Sequence, residues 1–136
     1  MLSPSAATVR LFIHTFAATI WVGGQLSVAG LIPTLRRISP EATRAAGRTF
    51  AKIAWPAFAV LFATGIWNLT AVDVTNTDTS YQITILVKIL VAVLSGVFAA
   101  IHALGNSRLM IAIGGSLGGL FAVAALFIGV LLRTAG

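Results

Sequence analysis

Residues 81–104 read YQITILVKILVAVLSGVFAAIHAL, and Lys88 is the one Asp, Glu, Lys or Arg among them. A hydrocarbon core about 30 Å thick is crossed by about 20 apolar residues in a helix, which satisfies its own backbone hydrogen bonds. We therefore predict that this stretch is a membrane-spanning α-helix.

Three further apolar stretches surround it, at about residues 10–33, 50–72 and 109–132. The composition agrees, because 58% of the 136 residues are hydrophobic and only 9% are charged, which is far from the balance of soluble domains. The connections are short, which favours antiparallel neighbours. We predict an all-α fold, an integral membrane antiparallel bundle of four transmembrane helices that forms a single domain over residues 1–136.

Positive charge is concentrated around the connection between the first two predicted helices, at Arg36, Arg37, Arg44, Arg48 and Lys52. By the positive-inside rule, the predicted loop 34–49 is cytoplasmic and both termini are outside. The formal net charge of +6 would also suit a nucleic-acid ligand, but cations gathered in one short loop indicate membrane topology instead. We expect an integral protein of a bacterial plasma membrane that contacts the lipid bilayer and binds no nucleic acid.

The sequence lacks the residues that several kinds of catalytic and metal-binding site require. The chain has no cysteine, which excludes disulfides, thiolate metal sites and thiol catalysis. It has no phosphate-binding loop, zinc-protease helix, hydrolase elbow or pair of catalytic carboxylates. The three acids, Glu41, Asp73 and Asp78, fall in or beside predicted loops. No catalytic residue is assigned from the sequence.

Ionisable residues inside a bilayer are costly and therefore point to functional sites. At a rise of about 1.5 Å per residue, His14 lies about one turn and Lys88 about two turns below the outer ends of their helices. His102 lies about 21 Å farther toward the cytoplasm than Lys88. This difference in depth excludes a bis-histidine haem pair formed by His14 and His102 within one four-helix unit.

Each of these residues has two interpretations. His14 is either a metal or haem ligand or a histidine hydrogen-bonded to a neighbouring helix. Lys88 either extends toward the outer interface or stays buried as a ligand or base. His102 is either functional or an interfacial residue near Arg108.

The residues around His14 would suit a flat, anionic cofactor. Arg10, one turn above His14, could meet a haem propionate. Trp21, with Gly23 and Gly24, lies deeper in the membrane than interfacial tryptophans do and could line the cofactor.

Small residues also occur on the fourth predicted helix, where they let another helix approach closely. That helix could belong to the same chain or to a second one. We expect a homodimer or a membrane-complex partner at the pairs Gly114, Gly115 and Gly118, Gly119.

The order of these motifs resembles a known family. The run HTFAATIWVGG at 14–24 resembles the first helix of CopD-like membrane domains and of HemJ-like proteins. A basic lead-in followed by Pro56 and Gly65 resembles the second helix of HemJ-like proteins. Tyr81 and the run LVKIL at 86–90 resemble the third helix of both, so the resemblance covers nearly the whole chain.

The resemblance to HemJ-like proteins, which are haem-containing protoporphyrinogen oxidases, implies a b-type haem near the outer face. It implies His14 as a haem ligand and Lys88 as a second ligand or a proton-handling neighbour. The chain would then be a haem-dependent oxidoreductase or electron-transfer protein. The fourth helix looks more like CopD, whose resemblance implies copper uptake or resistance.

Two alternatives to a haem protein stay open. In copper transport, His14 and His102 would be outer and inner binding positions on one route, although only Met1 and Met110 offer the soft ligands that copper(I) prefers. In the other, the chain is a non-catalytic accessory subunit of a larger membrane complex, held there by its glycine face. Such a subunit would need neither haem nor copper.

Overall fold

The computed structural model describes residues 1–135, and about 90% of the chain is helical. Four helices are long and apolar enough to cross a membrane, and residues 1–135 contain no strand. The predicted all-α class is therefore confirmed. The chain divides into two compact units, Met1–Val72 and Asp73–Gly136, and each is described by itself.

The first unit is a hairpin of two long helices. The first helix is continuous over Ala6–Ile38 and the second, α3, spans Pro40–Ala71. The first helix consists of α1 (Ala6–Ala18), a π-helical turn (Thr19–Gly23) and α2 (Gly24–Ile38).

A single residue, Ser39, connects α2 and α3. Its side chain accepts a hydrogen bond from the backbone N–H of Ala42 (3.0 Å), and Pro40 takes the first helical position, where no N–H is needed. The prediction of a loop over 34–49 is therefore wrong. Arginine and alanine are strong helix formers, so this basic segment continues both helices beyond their apolar parts.

The π-helical turn joins α1 to α2 without a break in the helix. Two side chains bond to the backbone around it: Thr19 Oγ1 donates to Phe16 O (2.7 Å) and Gln25 Nε2 donates to Trp21 O (2.9 Å). A wider turn disturbs the regular i→i−4 pattern of hydrogen bonds. These side chains provide local hydrogen bonds that water cannot supply in hydrocarbon.

The second unit is a hairpin of α4 (Thr79–Leu104) and α5 (Arg108–Thr134). Both predicted spans, 81–104 and 109–132, lie within these helices. The Ser107 side chain caps α5 by accepting a hydrogen bond from the Met110 N–H (3.1 Å).

A polar turn with a short 3₁₀-helix, Val74–Asn76, precedes α4. The Asp73 carboxylate accepts hydrogen bonds from Thr75 Oγ1 (2.6 Å) and Asn76 Nδ2, and these hold the pKa of Asp73 below its ordinary value. Gln82 Nε2 donates to the carbonyl of Val74 at 3.1 Å, which ties α4 back onto the turn.

Glycine allows α4 and α5 to pack closely. A Cβ added at Gly114 would lie 2.7 Å from Phe98 O and 2.9 Å from His102 Cα, both of which are backbone atoms of α4. In the same contact, Ser95 Oγ donates to Gly118 O at 3.0 Å, and Ser95 is 1% exposed. Close backbone approach and interhelical hydrogen bonds are the contacts that hold helices together in lipid.

The four glycines proposed above as a partner surface therefore differ in their surroundings. Gly114, Gly115 and Gly118 all face α4 of the same hairpin, whereas Gly119 has nothing within 4 Å. Contact within the hairpin accounts for the first three.

This packing predicts unequal effects of the same substitution on α5. Gly114→Ala should lower the free energy of unfolding in detergent by about 1–3 kcal/mol, because the added Cβ must displace the backbone of α4. Gly119→Ala, the matched control, should cause no loss, because the space beside Gly119 is open. Equal stabilities of the two variants in a denaturant titration would contradict the packing described.

Candidate functional site

Four polar side chains form two hydrogen bonds between α1 and α3. Arg10 and His14 are four residues apart on α1, and Thr64 and Asn68 are four residues apart on α3. Residues at this spacing lie on one face of a helix, one turn apart. Arg10 Nε donates to Asn68 Oδ1 at 2.7 Å, and His14 Nδ1 lies 2.8 Å from Thr64 Oγ1.

The hydrogen bonds of the Thr64 hydroxyl bear on which nitrogen of His14 carries the proton. Its Oγ1 donates its one hydrogen to the carbonyl of Val60 (2.7 Å), a residue on the preceding turn of α3. With the hydroxyl hydrogen on Val60, the oxygen accepts from His14, which puts a hydrogen on Nδ1 and the lone pair of the neutral ring on Nε2. Many metal-binding histidines are held in this way, with one nitrogen donating to a protein oxygen and the other directed to the metal.

Burial and a small neighbour also restrict the His14 ring. Thr64 is 6% exposed, so water competes little for its hydroxyl. A Cβ added at Gly65 would lie 3.6 Å from His14 Cε1, which places the glycine directly beside the ring. The ring is therefore held by a part-buried hydrogen bond against a residue without a side chain.

Arg10 is held one turn away from His14. Besides the bond from Nε to Asn68, the guanidinium lies over the Trp67 ring, with Cζ 5.8 Å from the ring centroid. This is the geometry of a cation–π contact. Both contacts fix a positive charge near His14, and a guanidinium has further N–H groups with which it can bind a carboxylate.

Trp21 is part of an aromatic cluster within the first hairpin. It is 3% exposed, and its ring centroid lies 4.4 Å from that of Phe58 and 5.3 Å from that of Trp55. Gly24 packs against the Phe50 ring, so a Cβ there would collide with Phe50. Trp21 and Gly24 thus pack between the two helices of this hairpin, and their part in lining a cofactor stays a prediction.

Gly23, the third residue of that predicted group, is in a different position. It is the last residue of the π-helical turn, and a Cβ added to it would meet nothing within 4 Å. It is exposed and takes no part in packing against α3.

Lys88 belongs to the second hairpin. Its side chain lies across α5, because a Cβ added at Gly129 would be 3.3 Å from Lys88 Nζ and 3.4 Å from Cε. Neither α4 nor α5 contains an acidic residue that could pair with the amine. Gly129 thus provides the space in which the end of the Lys88 side chain rests.

His102, also in the second hairpin, has a structural partner. Its Nδ1 lies 2.7 Å from the carbonyl oxygen of Ile111, so Nδ1 is the donor. The ring lies against Gly115, where a Cβ would come within 2.8 Å of Nδ1. His102 therefore helps to join the end of α4 to the start of α5, and its side chain is exposed.

The set of side chains limits which metal group could be held. Residues 1–135 contain no group of three or more His, Cys, Asp or Glu side chains that could hold a metal ion. A metal site built from three protein ligands of those types is not present in that part of the chain. Haem has a different requirement, because the porphyrin supplies four nitrogens to the iron and the protein adds axial ligands such as histidine.

Sequence reasoning identified Arg10 and His14 but missed Thr64 and Asn68. A signal for them was present, since they are polar residues four positions apart within the apolar stretch 50–72. An equal spacing on the preceding antiparallel helix allows two pairs to meet across the hairpin. The π-helical turn had no comparable signal in the sequence.

Comparisons with known proteins leave the geometry of these residues as the main guide to function. No family model, no curated protein and no solved structure matches the chain.

The His14 tautomer can be measured directly. In protein labelled with ¹⁵N-histidine, the His14 ring should show a protonated Nδ1 and an unprotonated Nε2 at neutral pH. Thr64→Val removes the acceptor and should shift the His14 Nδ1 signal, whereas Thr70→Val, on the same helix and exposed, should not. A proton on Nε2 in the wild type would show that the hydrogen bond runs differently.

Proposed function

We propose that this chain is an integral membrane protein that binds b-type haem through His14 and takes part in redox or electron-transfer chemistry. The observation that carries the proposal is the hydrogen bond between His14 and Thr64. It orients the imidazole, and with the Thr64 hydrogen on Val60 the lone pair of the ring is on Nε2, the state in which a histidine binds iron.

The available donor atoms favour haem over a bare metal ion. Neither cysteine nor a cluster of three His, Cys, Asp or Glu residues is found in residues 1–135. A single well-oriented histidine suits haem, which brings most of its own ligands. Copper transport, the second candidate from the sequence, would need a series of ligands, and soft ones are scarce in this chain.

Arg10 has a defined part in this proposal. Its guanidinium is held by Asn68 and Trp67 one helical turn from His14. A haem propionate would form a charge-assisted hydrogen bond with the remaining N–H groups of Arg10. Because Arg10 and His14 lie on one face of α1, Arg10 would bind the propionate edge of the cofactor and His14 would bind its iron.

A bound haem would supply one-electron chemistry. The chain itself would hold and tune the group: His14 binds, Thr64 keeps its ring oriented, and Arg10 compensates negative charge. Lys88 is proposed as a second ligand or a proton-handling neighbour. That role rests on the resemblance to HemJ-like and CopD-like proteins, while the space at Gly129 accommodates the amine within the second hairpin.

The wider assignment is part of the same proposal. Membership of a CopD-like or HemJ-like family, a haem-dependent oxidoreductase activity and a place in a bacterial plasma membrane rest on the sequence motifs. The positive-inside rule supports external termini, with residues 34–49 on the cytoplasmic side. A homodimer or an accessory role in a larger complex would have the open space beside Gly119 as its contact.

Two matched histidine substitutions test the haem site. After expression with added haem precursor, His14→Ala should purify with at least about tenfold less haem per chain than the wild type. His102→Ala, the control, should keep its haem, because the His102 ring is engaged with Ile111 and Gly115. Helix content measured by circular dichroism would verify that both variants are folded.

Thr64→Val is a second test of the haem site, and it leaves the His14 side chain in place. It should weaken haem binding about 10- to 100-fold while His14 remains, because the ring loses the partner that orients it.

Wild-type haem content and an unchanged Soret spectrum in His14→Ala would refute the site. Copper bound by the wild type and lost in both histidine variants would support the transport alternative instead.

A further inference from the structure

The end of the first hairpin at which α2 meets α3 carries a dense positive charge. We define the basic tip as residues 36–52. Its five cations, which are all exposed, are Arg36, Arg37, Arg44, Arg48 and Lys52. Glu41 is the only acid in this segment. We propose that the basic tip binds the headgroups of anionic phospholipids in the bilayer that the chain spans.

The cations stand on rigid helices, because Ser39 is the only residue between α2 and α3. Arg44, Arg48 and Lys52 recur every four residues along α3 and therefore follow one face of that helix. Arg36 and Arg37 lie in the last turn of α2. The backbone positions of the cations are thus set by two neighbouring helices, so binding a ligand has to order only their side chains.

Their depth matches that of lipid phosphates. From Lys52 to Ala71, the last residue of α3, the helix rises about 28 Å, close to the thickness of a hydrocarbon core. Lys52 therefore lies at the boundary of the hydrocarbon, and Arg48 lies about 6 Å farther out, within the headgroup layer. Basic residues next to a transmembrane helix are attracted to anionic lipids at this level.

Exposed apolar side chains beside the cations favour lipid over a soluble polyanion. Ile38, which follows Arg37, is 69% exposed, and Ile53, which follows Lys52, is 54% exposed. A surface made for a polyanion in water would not leave such residues uncovered among its arginines. At the edge of a bilayer, the apolar groups meet the upper parts of acyl chains while the cations meet phosphates.

Glu41 competes with the proposed ligand. Its carboxylate lies 3.1 Å from Arg48 and 3.7 Å from Arg44, and all three side chains are well exposed. Exposed ion pairs of this kind contribute little to stability, so a phosphate can displace the carboxylate at small cost. Removal of the Glu41 charge should therefore strengthen lipid binding, which is an effect opposite to that of removing an arginine.

Native mass spectrometry of the detergent-purified full chain tests the proposal. The protein is titrated with dioleoylphosphatidylglycerol or, separately, with dioleoylphosphatidylcholine, and the bound fraction of each lipid is measured. The wild type should bind the anionic lipid at least about tenfold more tightly than the zwitterionic one, since each nearby cation contributes a factor of about five.

Charge variants then locate the binding surface. Arg48→Gln with Lys52→Gln should weaken binding of phosphatidylglycerol about tenfold or more, whereas Glu41→Gln should strengthen it about fivefold. Arg108→Gln with Arg133→Gln is the matched control, because it removes two exposed cations outside the basic tip and should leave the affinity unchanged. Circular dichroism confirms the helix content of each variant.

Three outcomes of these measurements would contradict the proposal. Equal binding of the two lipids, or equal losses in the tip variant and the control, would overturn the proposal. Displacement of phosphatidylglycerol by millimolar inorganic phosphate would also overturn it, because the ligand would then be a soluble anion. None of these outcomes depends on haem, so the result stands apart from the test of His14.

Discussion

The absence of water from hydrocarbon is the constraint on which the rest of this structure depends. Backbone groups must pair within each segment, which is why the four spanning stretches are helices. Lipid tails are as apolar as leucine, so helices are joined by close approach and by a few polar contacts. The second hairpin uses glycines and the bond from Ser95 to Gly118, whereas the first uses the pairs that Arg10 and His14 make with α3.

A polar contact of this kind can hold two helices together and also orient a side chain that binds a metal. The His14 bond to Thr64 joins α1 to α3 and orients the ring, and with the Thr64 hydrogen on Val60 it puts the ring hydrogen on Nδ1. His102 has the same tautomer through a backbone carbonyl, but its ring fills the space that Gly115 provides between two helices. The two histidines of the chain thus differ in surroundings, and only His14 has a fixed cation one turn away.

Apolar length and composition were enough to predict four helices and the all-α class, because hydrocarbon leaves a chain few choices. The helix ends were less predictable. Charged residues usually indicate a loop between membrane helices, but the arginines and alanines at 34–49 are good helix formers and continue both helices. Thr64 was overlooked since threonine is ordinary in a membrane helix. Its importance depends on a partner 50 residues away, which the sequence does not pair with it.

The absorption spectrum of the purified wild-type protein, recorded oxidised and then reduced with dithionite, tests the central claim most directly. Copper is quantified in the same sample, and haem precursor is supplied during expression. A histidine-bound b-type haem predicts a Soret band that shifts on reduction, together with the sharp visible bands of reduced haem b. A colourless, folded protein that takes up no added haem would contradict the proposed function.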